Sequence, residues 1–302
     1  MSTSQLDYAL VDVFAEQALE GNMLAIFTNA RGLSNEQMQA LAREMNLAET
    51  TFIIPAEDPE EERTRGVRVR IFTTQEELQF AGHPTLGTSS WLYFNHPVLR
   101  GSESITLALN VGPINVRFEA PQPGVPGVYG TMQQADPTFG QVHDPNEIAR
   151  LFNMPLEDFD PTHPIQTVST GMAFCIVPMS SLAALQRLEI PQAAANQWLA
   201  HSDAKFFYCI APAETPGVDF HARMQFYNGE DPATGSAAGC AISWLVRHGL
   251  VPSQRPTLIE QGIEIRRPSR LHVEATLSNE KIFDVFVAGR TIQVASGRFL
   301  RP

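Results

Sequence analysis

Read for its alternation of apolar and polar positions, the 302-residue chain is a series of short strands interrupted by a few helices. Residues 8–14 (Tyr-Ala-Leu-Val-Asp-Val-Phe) and 23–27 (Met-Leu-Ala-Ile-Phe) predict strands joined through Glu20-Gly21-Asn22. Ser34 followed by Gln37 forms a capping box, which opens a helix carrying Met38, Leu41 and Met45 on one face and stopping at Asn46. An apolar strand over 47–54 follows, with one acid, Glu49, at its entry. The acidic run 56–64 reads as a solvated hairpin tip. Further strands are expected at 66–73, 128–133 and 165–177, a hairpin over 103–119 turning at Asn110-Val-Gly-Pro113, and a helix over 146–152. The chain ends in runs at 257–265, 269–276, 282–287 and 291–294, which read as a β meander.

One pattern occurs twice. Sliding residues 68–92 onto 221–245 without a gap superposes Arg70 on Arg223, Glu77 on Glu230, Gly82 on Gly235, Ser90 on Ser243, Trp91 on Trp244 and Leu92 on Leu245. The chain has three tryptophans, and two of them coincide. In each copy an alternating run leads to a glycine turn and then to an apolar helix. In the second, Asn228-Gly229 and Asp231-Pro232 are turn signals before a helix from Ser236 to Val246. A repeat at about half the chain length implies a duplicated unit and two domains. The Pro- and Gly-rich residues 121–127 mark the boundary, giving a first domain over 1–120, onto which the tail 290–302 packs back, and a second over 128–289.

Composition narrows the function. The formal charge of −12 comes with no Lys/Arg cluster, which argues against a nucleic-acid surface, and no apolar run approaches a membrane span. Cys175, Cys209 and Cys240 lie in apolar surroundings without metal-ligand spacing, so they read as buried free thiols in a reducing compartment. With no export signal in Met1-Ser-Thr-Ser-Gln-Leu-Asp, the expected setting is the cytoplasm. No dinucleotide fingerprint, phosphate loop or metal spacing is present, so no cofactor or metal is expected. A helix start with free N–H groups grips an anion, which makes Thr234-Gly235-Ser236 a candidate carboxylate site.

Asn46-Leu-Ala-Glu-Thr50, Phe80-Ala-Gly-His-Pro84 and Gly229-Glu-Asp-Pro-Ala-Thr-Gly-Ser-Ala237 resemble the motifs of the phenazine-biosynthesis PhzF family, which shares the fold of diaminopimelate epimerase. Gly21-Asn22, Ser169-Thr-Gly171, Gln261-Gly262 and Arg267-Pro-Ser269 extend the resemblance over essentially the whole chain. It implies an α/β (α+β) fold of two similar domains, each a mostly antiparallel sheet wrapped around a central helix, with the active site in the cleft between them, and a homodimer. In the epimerases one Cys from each half works on opposite faces of a stereocentre. Here Ala81 and Thr234 occupy those positions, so two-thiol racemisation is not expected. The resemblance instead makes Glu49 the acid/base, helped by His83, Asp231 and Ser236.

Each of these residues also has a plain structural reading. Glu49 fits a strand-edge acid, His83 a helix cap, and Asp231 the first residue of an Asp-Pro turn. A carboxyl between apolar neighbours is disfavoured as an anion, so the Glu49 pKa is expected to rise, which suits a group that takes and gives a proton. Leu78 stands in the first repeat where Asp231 stands in the second, as an asymmetric ligand requires. Arg70 and Arg223, being matched, suit a role in the fold, and Asp203 is the approximate counterpart of Glu49. The expected function is a cofactor-independent isomerase moving a proton within a small carboxylate-bearing metabolite, such as a dihydro-hydroxyanthranilate. Glu49, His83 and Asp231 are the catalytic group, and Gly82, Gly235, Ser236 and Thr234 the substrate-binding group. The alternatives are an amino-acid epimerase or racemase without the two cysteines, and a carboxylate-binding protein without catalysis.

Overall fold

A computed structural model describes residues 5–227 and 229–300. Residues 1–4, read for an export signal, and Asn228 of the expected Asn228-Gly229 turn lie outside the described residues. The fold is mixed α/β and strand-rich, and it divides into Met1–Gln133 with Ala288–Pro302, and Gln134–Val287.

The first unit contains β1 (Gln5–Val13), β2 (Asn22–Phe27), α1 (Asn35–Met45), β3 (Thr50–Ile54), α2 (Glu62–Arg65), β4 (Val67–Phe72), β5 (Glu77–Leu78), α3 (Gly82–Asn95), β6 (Ser104–Leu109), β7 (Gly112–Phe118) and β8 (Val128–Gln133). The neighbour order is β1-β2-β3-β4-β6-β7-β8. Pairings along it run antiparallel, parallel, antiparallel, parallel, antiparallel and antiparallel. Helix α3 packs against β1, β2, β3, β6, β7 and β8 and is buried from Gly82 through Ser90. Three of its buried hydroxyls are paired: Thr85 and Ser90 donate to the carbonyls of Ala81 and Leu86, and Thr88 bonds Thr51 of β3 at 2.9 Å, while the Ser89 hydroxyl has no partner among the described residues. A polar helix can therefore be buried without leaving most of its hydroxyls unpaired.

The second unit contains β9 (Thr138–His143), α4 (Pro145–Phe152), β10 (Ile165–Ser169), β11 (Ala173–Pro178), α5 (Leu182–Gln186), α6 (Gln192–Leu199), β12 (Phe206–Pro212), β13 (Phe220–Arg223), the short pair β14 (Gln225–Phe226) and β15 (Gly229–Glu230), α7 (Gly235–Arg247), β16 (Thr257–Gln261), β17 (Ser269–Ser278) and the start of β18 (Lys281–Leu300). From β10 the order is β10-β11-β12-β13-β16-β17, with pairings antiparallel, parallel, antiparallel, parallel and antiparallel. Helix α7, buried from Gly235 through Val246, packs against β10, β11 and β17. Among the described residues no helix is long and apolar enough to cross a membrane.

Four expectations are corrected. The run 128–133, placed at the start of the second domain, is β8 and pairs with β7 in the first unit, so the Pro/Gly-rich stretch before it only links two neighbouring strands. The run 165–177 is two antiparallel strands, because Gly171, at φ 131°, lets the chain reverse. The last two meander runs are one strand, β18, since Gly289 is not in the left-handed region that a turn there would use. The acidic 56–64 stretch is not wholly solvated. Glu62, only 4% exposed, accepts from the Ala56 N–H and meets His96 Nε2 at 2.7 Å, while His96 Nδ1 accepts from the Val98 and Leu99 N–H groups.

Candidate active site

Glu49 and His83 meet in the first unit. Helix α1 starts on the Ser34–Gln37 capping box and ends at Asn46, whose left-handed conformation (φ 52°) redirects the chain, so that Glu49 falls immediately before β3. Gly21 has φ 69°, and a Cβ there would lie 2.3 Å from the Val13 carbonyl oxygen. Only glycine fits that approach, and the turn delivers Asn22 as the first residue of β2. His83 sits in the first turn of α3, whose start takes no side-chain cap. Its Nδ1 is 3.3 Å from Asn22 Nδ2, and its Nε2 is 3.6 Å from Glu49 Oε2.

These contacts define the protonation state. An amide nitrogen only donates, so His83 Nδ1 accepts and Nε2 carries the proton. The Glu49 contact is short enough for an ion pair if the ring were charged, yet the ring is 3% exposed, and burial pushes its pKa down to about 3. Desolvation dominates, so we treat His83 as a neutral donor. Its buried Nε2 has no hydrogen-bond partner among the described residues, while the Glu49 side chain is 17% exposed. The pair is therefore a partly exposed carboxyl beside a fixed, uncharged N–H.

The second constellation lies in the second unit. Arg223 on β13 forms a bidentate pair with Glu230 at 2.8 and 2.7 Å and donates to the carbonyls of Leu185, Gln186 and Leu188. Arg70 does the same for Glu77 at 2.7 and 2.5 Å. Both arginines thus fasten turns to strands. Beyond Glu230, the hydroxyl of Thr234 donates to Asp231 Oδ2 at 2.6 Å and accepts from Gln261 Nε2 at 2.9 Å. Thr234, expected among the substrate-binding residues, spends its hydroxyl inside the turn. As with α3, helix α7 begins with a buried glycine and no side-chain cap, and Ser236 is buried in its first turn. A buried helix start without a cap is suited to an anion.

Other candidates fall away from these groups. Asp203 accepts from the Gln141 N–H and the Thr167 hydroxyl, which makes it a fastener of β9 and β10. The three cysteines are free and buried, and burial pushes all their thiols up, Cys240 to about 11. No group of three His, Cys, Asp or Glu able to hold a metal occurs among the described residues. The sequence reading missed Asn22 and Gln261 as partners of site residues. Both stand in the quoted motifs, but neither has a local signal, since their partners lie 61 and 27 positions away.

Comparison with known proteins places the chain. The family model described as phenazine biosynthesis-like protein (PhzC-PhzF) matches residues 11–297. The trans-2,3-dihydro-3-hydroxyanthranilate isomerase of Pseudomonas aeruginosa is 33% identical, with 96% of this chain and 98% of the relative covered. A predicted epimerase from Pseudomonas aeruginosa superposes with a TM-score of 0.82 at 34% identity, covering 98% of this chain and 100% of that one. A PhzF-family phenazine biosynthesis protein from Bacillus anthracis gives 0.86 at 25% identity, covering 98% and 99%. With the family model matched over residues 11–297 and a named isomerase 33% identical over 96% of the chain, the protein belongs to the phenazine biosynthesis-like PhzC-PhzF family and is an isomerase.

Proposed function

We propose that the isomerase moves a proton within a small carboxylate-bearing metabolite of the dihydro-hydroxyanthranilate type, with Glu49 as the acid/base. Glu49 takes a proton from one carbon, the double bond shifts, and the Glu49 carboxyl, open to exchange with solvent, delivers a proton at another carbon. The step is redox-neutral and balances without a co-reactant. In the first unit, Gly82 and the His83 N–H at the start of α3 are assigned to the charge developing beside Glu49, and in the second, Gly235 and Ser236 at the start of α7 are assigned to a carboxylate. Asp231 is assigned to an amino or hydroxyl group of the substrate. The observation that carries the reading is the buried His83 Nε2 at 3.6 Å from Glu49, because burial disfavours the imidazolium that would otherwise hold the carboxylate as an anion. The name of the Pseudomonas aeruginosa relative supports the substrate class.

We also infer that the two units derive from one duplicated ancestor, each built around its buried helix, α3 or α7. Support comes from the five successive strand pairings that alternate identically in both and from the matched Arg70–Glu77 and Arg223–Glu230 pairs.

The test is Glu49→Gln, which keeps the shape and removes the titrating group. Incubated in D₂O with trans-2,3-dihydro-3-hydroxyanthranilate, the wild type should exchange a carbon-bound hydrogen and shift the absorbance. The variant should bind with similar affinity and lose about 10²–10⁴-fold in rate. Exchange at the wild-type rate in the variant would remove Glu49 from the role. Exchange without an absorbance change, but with inversion of chirality, would indicate an epimerase.

A further inference from the structure

Helix α7 begins on a residue whose side chain does not cap it, yet its first turn is held from two sides by buried glutamines. Gln261, 0% exposed on β16, has all its amide positions directed at this region. Its Oε1 accepts from the Thr234 N–H at 3.1 Å and from the Tyr208 hydroxyl at 3.1 Å. Its Nε2 donates to the Asp231 carbonyl at 2.8 Å and to the Thr234 hydroxyl at 2.9 Å. The backbone partners fix the orientation of the amide, since a peptide N–H can only donate and a carbonyl can only accept. Gln134, 5% exposed, approaches the helix separately and donates from Nε2 to the Gly235 carbonyl at 2.9 Å, while its Oε1 accepts from the Thr170 hydroxyl. Glycine at 239 makes room for it, because a Cβ there would lie 2.0 Å from Gln134 Oε1.

Both amides therefore bind the backbone of the turn and the helix start, and neither provides the cap that would occupy the first-turn N–H groups. A conventional N-cap satisfies those donors with its own oxygen and competes with an incoming anion. Here the rigidity of the turn comes from glutamines bonded to other atoms, which leaves the helix start uncapped by any side chain of the turn. The hydrophobic effect alone does not supply such directional fixing, and a fully satisfied buried polar network does.

We propose that Gln261 and Gln134 are positioning residues that preorganise the α7 start and the Asp231 turn for the substrate carboxylate. This rests on the reading above that the α7 start grips that carboxylate. Preorganised donors bind a charge without the cost of ordering the loop at each encounter.

The test uses the full-length protein and two probes measured by calorimetry: 3-hydroxyanthranilate, and 2-aminophenol, the same ring without the carboxylate. The wild type should prefer the carboxylate probe. Gln261→Met should weaken 3-hydroxyanthranilate about tenfold or more, the scale of one lost hydrogen bond to a charged group, with 2-aminophenol unchanged. In turnover the loss should appear in KM more than in kcat. Gln134→Met should act in the same direction, and it serves if Gln261→Met does not fold. A variant of normal stability that keeps the full carboxylate preference overturns the proposal, as does an equal loss for both probes, which would mark a purely structural role. A wild type with no carboxylate preference overturns the underlying reading of the α7 start instead.

Discussion

The neutrality of His83 has a thermodynamic signature. An imidazole held at about 3 when folded, against an ordinary value of 6.5, leaves the unfolded chain binding a proton first as pH falls. The contribution of His83 to stability is therefore complete above pH 6.5 and drains away as pH falls toward 3. At about pH 4.5 the loss should be roughly 2–3 kcal/mol, at about 1.4 kcal/mol per unit of pKa difference. Urea titrations of wild type and His83→Gln across this range give the check. The wild type should lose more stability on acidification than the variant. Equal slopes would mean that the ring is not held neutral. Glu49 and His83 were both legible in the sequence, through their motifs and their place beside a strand entry and a glycine turn. Asn22, which sets the His83 tautomer, was legible only as part of Gly21-Asn22. A hydrogen bond spanning 61 positions has no local pattern to announce it.

At the scale of elements, the matched arginines give a graded prediction. The Arg223 and Glu230 side chains are 7% and 8% exposed, against 14% and 25% for Arg70 and Glu77, and Arg223 also holds three carbonyls. Removing one partner of a well-buried pair strands the other charge. Arg223→Met should thus cost about 3–5 kcal/mol, and Arg70→Met about 1–3 kcal/mol. Denaturant midpoints of the two variants decide the order, and equal losses would contradict the burial argument. The elements with strong local signals were predictable: the Ser34 capping box, the left-handed Asn46 and the two glycine-led helices all reside in a few adjacent residues. Strand β9 was missed because its exposed Thr138, Gly140, Gln141 and Val142 give no clean alternation, α5 because five residues carry too little periodicity, and α6 because its run of Ala193, Ala194 and Ala195 marks no apolar face. The buried Glu62–His96 contact was hidden inside an acidic run whose average character is that of solvated surface.

At the scale of the molecule, all three cysteines belong to Gln134–Val287, fully buried, with thiols that burial keeps protonated. A variant with Cys175 and Cys209 changed to Ala and Cys240 to Ser should keep turnover within about threefold, and its losses should appear in stability, as for other small truncations in a core. Normal folding with abolished turnover would bring thiol chemistry back. The extent of each unit was less legible than its content. The Pro- and Gly-rich stretch drew the boundary to 121–127, whereas β8 beyond it is held by strand pairing in the first unit, and pairing partners are not written in local composition.

The far half of β18 has a consequence for how the protein is made. From Ala288 it belongs to the first unit, where it lies antiparallel to β1, with Gln5 opposite Leu300 and Val13 opposite Thr291. The first unit is therefore discontinuous along the chain, and the second is a single stretch inserted within it. During synthesis, β1 emerges before the inserted unit and its partner after it, so one side of β1 stays an open edge until the whole inserted unit has been made. The unit carrying Glu49 and His83 is begun first and completed last, and the inserted unit can close before it.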